Sequence, residues 1–79
     1  MDYIRVQLDF PAERIEEINQ MMRETQIGTR KELFNSALTL FNWAIQQRIE
    51  GKQIISVDDE GGRVKNLVMP ALENAANKK

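Results

Sequence analysis

The fold is decided by residues 3–10, which read Tyr3-Ile4-Arg5-Val6-Gln7-Leu8-Asp9-Phe10. The even-numbered positions are all apolar and the odd-numbered positions all carry a polar group, a period of two that is typical of a strand with one buried face. The next strand-like residues lie more than forty positions further along the chain. Because a lone strand leaves its backbone N–H and C=O groups unpaired, the sequence predicts that two copies pair here as an antiparallel ribbon.

The length and composition of the chain also favour association with a second copy. A chain of 79 residues forms one small domain, and such domains often depend on a disulfide, a metal or oligomerisation. Cysteine and histidine are both absent, which excludes disulfides and thiolate or imidazole metal sites. We therefore expect a homodimer without a cofactor. No apolar run or charged leader indicates a membrane span or a secretion signal, so a cytoplasmic protein is expected.

The first helix is predicted to begin at Pro11, whose fixed φ and missing N–H suit the first helical position. Ile15, Ile18 and Met22 then recur at helical spacing and form one apolar stripe. Gly28 interrupts this pattern. The sequence therefore predicts a helix of about four turns that is apolar on one side.

A second, longer helix is predicted from about Arg30 to Glu50. Thr29 and Glu32 have the spacing of a capping box, and Gly51 is a natural terminator. Apolar residues cover more than half of the helix circumference, so the helix needs cover on two sides, of which the first helix supplies one. A second copy of the chain is the predicted cover, and the alternative is that residues 52–79 fold back. The predicted dimer core comprises Ile4, Val6, Leu8, Phe10, Leu33, Phe34, Ala37, Leu38 and Phe41.

Residues 52–79 are predicted to form a hairpin and a short helix. Residues 52–57 and 63–69 are strand-like, and residues 58–62 have the composition of a turn. Pro70 opens a short helical pattern, and residues 77–79 are expected to be a frayed tail. The acidic residues of the turn lack the spaced ligands of a calcium loop and an enclosed pocket, so solvated charge is expected there and no enzymatic activity.

Residues 3–50 resemble the ribbon-helix-helix family of DNA-binding proteins. The resemblance is carried by residues 6–11, by Ile15 and Ile18, and by residues 28–31 with Leu33, Ala37 and Leu38. It implies a mainly α fold in which two intertwined chains form an antiparallel ribbon that enters the major groove of DNA. Residues 1–51 would then be the dimerisation and DNA-binding domain, and residues 52–79 a C-terminal extension.

The resemblance places the base contacts on the outward residues Arg5, Gln7 and Asp9. Arginine can donate two hydrogen bonds to guanine, glutamine can pair with adenine, and aspartate can accept from cytosine. Each residue has a structural alternative. Arg5 and Gln7 could be ordinary solvated side chains, and Asp9 could favour the positive end of the first helix dipole.

Phosphate contacts are implied at the turn into the second helix, at Thr29, Arg30 and Lys31. Open N–H groups at a helix N-terminus bind phosphate, and the two cations would add an attraction that weakens with salt. Simple capping by Thr29 is the structural alternative, and both roles are compatible because the cap satisfies only one donor.

The resemblance implies a small transcriptional regulator that binds double-stranded operator DNA, either a simple repressor or an antitoxin-like one. In proteins of this kind, an extension such as residues 52–79 can bind a protein partner. The structural alternative is that residues 52–79 add a sheet beside Trp43. Residues 1–50 carry six basic and eight acidic residues, a balance of −2, whereas DNA-binding proteins are usually basic. The rival hypothesis is therefore a homodimeric protein-interaction module that does not bind DNA.

Overall fold

The chain is mostly helical. The computed structural model describes residues 2–78, which form three helices and one two-stranded antiparallel sheet. Two compact units meet at a boundary between Phe34 and Asn35. This confirms the predicted helices and the C-terminal hairpin. The predicted domain boundary after Gly51 and the intertwined dimer stay predictions.

Helix α1 spans Ala12–Thr25 and begins one residue after the predicted start. Pro11 precedes the helix, and its carbonyl accepts hydrogen bonds from the N–H groups of Arg14 and Ile15. Ile18, in the predicted apolar stripe, is buried. The helix ends before Gly28 because Gln26 adopts a left-handed backbone with φ of 58°. The N–H groups of Gln26 and Ile27 then donate to carbonyls of the last turn, as in a Schellman motif.

Helix α2 spans Arg30–Ile49, and it has the Thr29 half of the predicted capping box and the predicted Gly51 terminator. The Glu32 N–H donates to the Thr29 hydroxyl oxygen at 3.1 Å, which is the expected cap. Gly51 has φ of 84° and its N–H donates to the Arg48 carbonyl. This geometry ends the helix one residue before the predicted Glu50.

Residues 2–10, the N-terminal arm, belong to no helix or strand within the chain. Their apolar side chains are open to solvent: Ile4 is 87%, Val6 73% and Leu8 63% exposed. A strand needs a hydrogen-bonding neighbour, and among residues 2–78 no segment is hydrogen-bonded to the arm as a strand. The predicted pairing with a second copy therefore stays a prediction.

The C-terminal unit contains the predicted hairpin and the predicted short helix. Strands β1 (Ile55–Val57) and β2 (Val64–Asn66) are antiparallel, with Val57 opposite Val64, and both are shorter than the predicted strands. Helix α3 spans Pro70–Ala76 with proline in its first turn. The predicted frayed tail extends to Lys79, which lies outside the described residues.

Packing in the C-terminal unit depends on α3 and the end of α2. Ala44 and Ala75 are buried, and Leu72 is only 1% exposed. The Arg48 guanidinium donates to the Glu73 carboxylate at 3.1 Å and to the Lys52 carbonyl at 2.8 Å. These bonds join α3 and the loop after α2 to the last turns of α2.

Candidate nucleic-acid interface

The N-terminal arm contacts the start of α2 at both of its ends. The rings of Phe10 and Phe34 stack with their centroids 6.1 Å apart and their planes inclined by 18°. At the other end, the Lys31 ammonium lies 5.3 Å from the centre of the Tyr3 ring, within the range of a cation–π interaction. The segment that carries the predicted base contacts therefore lies beside the turn that carries the predicted phosphate contacts.

The three predicted base-contact residues all face solvent. Arg5, Gln7 and Asp9 are exposed, and within the part of the chain that the structure describes their side chains make no hydrogen bond or ion pair. Their functional groups are thus available to an external partner. The apolar residues between them are exposed as well, so the single chain does not bury either face of the arm.

The turn into α2 has the geometry of a capped helix N-terminus with two cations. Thr29 satisfies one backbone donor of the first turn, at Glu32, and the remaining open donors of a helix start point away from the helix body. Arg30 and Lys31 are exposed on this turn. The arrangement can attract an anion through the helix dipole, the backbone N–H groups and two positive charges.

The residues predicted to form the dimer core fall into two groups. Leu33 is buried and Phe34 half-buried within the single chain. The others are exposed, including the remaining α2 residues Ala37, Leu38 and Phe41. Seven of the nine predicted core residues thus keep their apolar side chains open in one copy.

Sequence reasoning missed the role of Tyr3. The alternating pattern predicts only an outward polar position for this residue, whereas the structure places its ring under Lys31. An aromatic residue at the start of the predicted strand and a cation at the helix start were the available signals. No spacing rule connects two positions that far apart in sequence, so the contact could not be predicted.

Comparison with protein-family models, with curated proteins and with solved structures gave no significant match. Among residues 2–78, no helix has both the length and the apolar character that crossing a bilayer requires.

Proposed function

We propose that this protein is a homodimeric DNA-binding regulator of the ribbon-helix-helix type. The observation that carries the proposal is the N-terminal arm, whose apolar and polar residues alternate and whose apolar side chains lie open in the single chain. Pairing two arms would satisfy their backbone groups and bury one face. The opposite face would then present two copies of Arg5 and Gln7 side by side.

The exposed apolar surface of α2 supports the same dimer. Leu38 and Leu40 are each 65% exposed, and every residue from 35 to 43 is exposed. A helix with apolar side chains over so much of its circumference is normally buried on more than one side. A second copy would cover this surface together with the arm, because the arm also contacts the start of α2 at Phe34.

DNA is the proposed partner because of where the cations and donors lie. The net charge of the chain is −1, so nonspecific attraction to phosphate is weak and binding must depend on local placement. Arg5 and Gln7 have the functional groups that recognise guanine and adenine in the major groove. Arg30, Lys31 and the capped start of α2 would position the phosphate backbone on either side.

The experiment that tests this proposal starts from a selection of bound fragments from a genomic DNA library, followed by titrations of a selected duplex at two salt concentrations. Affinity should fall steeply as salt rises, because contacts with phosphate release counterions. Arg5→Ala should weaken binding by about 10-fold or more, as expected for the loss of a bidentate base contact. Arg63→Ala is the matched control. Arg63 is an exposed arginine of the hairpin, so this substitution removes the same charge outside the proposed interface.

Gln7→Ala distinguishes base recognition from general attraction. The variant should remain dimeric and bind DNA, but its selected fragments should lose the base preference at one position in each half-site. Equal losses for Arg5→Ala and Arg63→Ala, or a Gln7→Ala variant with an unchanged preference, would contradict the proposed ribbon contacts.

Asp9 favours a second candidate function, a dimeric protein-interaction module. Its exposed carboxylate lies in the N-terminal arm, where it would repel phosphate unless it contacts a cytosine. Under this hypothesis the selection would recover no preferred DNA and binding would not depend on salt. Asp9→Asn would then leave DNA affinity unchanged, whereas a DNA-contacting Asp9 would change the base preference.

A further inference from the structure

Tyr3 and Lys31 join the start of the N-terminal arm to the start of α2. The Lys31 ammonium lies 5.3 Å from the centre of the Tyr3 ring, a distance at which the ring face attracts a cation. Phe34, whose ring stacks on Phe10, follows Lys31 by three residues and so lies on the same side of α2. Two aromatic residues of the arm thus contact one side of the first turns of α2.

The position of Lys31 is unfavourable for the stability of α2. Lys31 is the second residue of the helix, where the positive end of the helix dipole repels a cation. Arg30 precedes it and adds a second positive charge. A lysine at this place destabilises the helix unless an anion or another attractive group lies nearby, and the Tyr3 ring is such a group.

The aromatic ring attracts Lys31 without cancelling its charge. Among residues 2–78, Lys31 makes no ion pair, whereas Lys52 is paired with the Glu50 carboxylate at 3.0 Å. A carboxylate would also restrict a lysine side chain, but it would offset the positive charge that attracts a phosphate. An aromatic face restricts the side chain and leaves its charge in place. This difference matters because residues 1–50 carry more acidic than basic residues.

A lysine side chain that is already restricted loses less conformational entropy when it binds a phosphate. We propose that Tyr3 is a positioning residue that holds Lys31 at the start of α2 for contact with a DNA phosphate. Tyr3 occupies an odd-numbered position of the arm, so pairing of two arms would leave its ring outside the buried face. The proposal rests on the proposed function, since the anion is the DNA backbone.

The first test measures the contact in the full chain by NMR, without DNA. Protons that lie over an aromatic ring resonate upfield, so the Lys31 Cε protons should resonate upfield of those of Lys52. The difference should disappear in Tyr3→Leu and persist in Tyr3→Phe, which keeps the ring. Tyr3 is 82% exposed, so neither substitution removes a buried side chain. A Lys31 resonance that is the same in all three proteins would overturn the proposal.

The second test measures affinity for the selected duplex. Tyr3→Leu should weaken binding about threefold for each copy, and so about 10-fold for the dimer, as expected for the loss of an exposed cation–π contact. Tyr3→Phe should bind as tightly as the natural chain. The loss in Tyr3→Leu should be the same for every DNA sequence, because a phosphate contact carries no sequence information.

A double-mutant cycle shows whether Tyr3 acts through Lys31. In a Lys31→Ala background, Tyr3→Leu should weaken binding no further. Lys52→Ala is the matched control, since Lys52 is an exposed lysine outside the arm and the start of α2, and in that background Tyr3→Leu should keep its full effect. Equal effects of Tyr3→Leu in the two backgrounds would overturn the proposal. So would a Tyr3→Leu variant that is monomeric in analytical ultracentrifugation, because Tyr3 would then act through the dimer.

Failure of the role of Tyr3 differs from failure of the proposed function. If the selection recovers no duplex, DNA binding is wrong and the role of Tyr3 is wrong with it. If a duplex binds with the expected dependence on salt and Tyr3→Leu binds it as tightly as the natural chain does, only the role of Tyr3 is wrong.

Discussion

The N-terminal arm and the C-terminal hairpin show that regular alternation alone does not make a strand. The arm alternates over eight positions and forms no strand within the chain, whereas the hairpin forms from strands of only three residues each. The difference lies in how many residues separate each segment from a second segment with which it could pair. Val57 pairs with Val64 across a short turn, and short loops cost little entropy to close. Alternation predicts which face is buried, but a neighbour is needed to bury it.

The burial of apolar side chains also differs between the N-terminal arm and the C-terminal helix. In the C-terminal unit, Leu72 is 1% exposed, while Ile4 in the arm is 87% exposed. The end of α2 and α3 thus form a small core within a single copy, whereas the arm presents apolar side chains that still need cover. The Leu72→Ala prediction tests this small core, and the Leu8→Ala prediction tests whether a second copy covers the arm.

Leu72→Ala should have the largest effect, because it removes the most deeply buried large side chain among the described residues. We expect the free energy of unfolding to fall by about 2–5 kcal/mol, the usual cost of truncating a buried leucine. Urea denaturation followed by circular dichroism measures it. Leu67→Ala, at a residue that is 45% exposed, is the matched control and should cost much less. Equal costs would show that α3 does not hold the core of its unit.

Leu8→Ala should have the next largest effect if the arm is buried between two copies. Each chain would lose about 1.5–3 kcal/mol of apolar burial, so the dimer should dissociate at a higher protein concentration in analytical ultracentrifugation. Val64→Ala, at an exposed residue of the hairpin, is the control and should leave the dissociation constant unchanged. A Leu8→Ala variant with the mass and stability of the natural chain would contradict the proposed burial, since the arm would then be exposed in solution as well.

The elements that could be predicted from the sequence are those whose signals are local. The Thr29 cap, the Gly51 terminator and the helix after Pro70 each depend on neighbouring residues, and each is found where it was predicted. The end of α1 was less predictable. Gln26 takes the left-handed conformation that usually falls to glycine, although Gly28 lies only two residues further on.

The candidate site was predictable only as a set of residue types. Positions such as Arg5 and Gln7 follow from the alternating pattern, and their exposure follows from it as well. The contact of Tyr3 with Lys31 depends on residues far apart in sequence. Such contacts are set by tertiary packing, which a local pattern does not encode.

Thr29, which caps α2, and Thr39, inside α2, give the smallest and most closely matched comparison, since Thr29 belongs to the N-terminal unit and Thr39 to the C-terminal unit. The Thr29 hydroxyl oxygen accepts from the Glu32 N–H at 3.1 Å, so Thr29→Ala should lower the free energy of unfolding by about 0.5–2 kcal/mol. The Thr39 hydroxyl instead donates to the Asn35 carbonyl, which already belongs to the helix interior.

Alanine is the better helix former at an exposed interior position, so Thr39→Ala should be neutral or slightly stabilising. Thermal denaturation of the two variants at one protein concentration measures the difference. Equal destabilisation of both would argue against a capping role for Thr29. If Thr29→Ala also weakens DNA binding while Thr39→Ala does not, and the loss is the same for every DNA sequence, the turn holds phosphate and does not recognise bases.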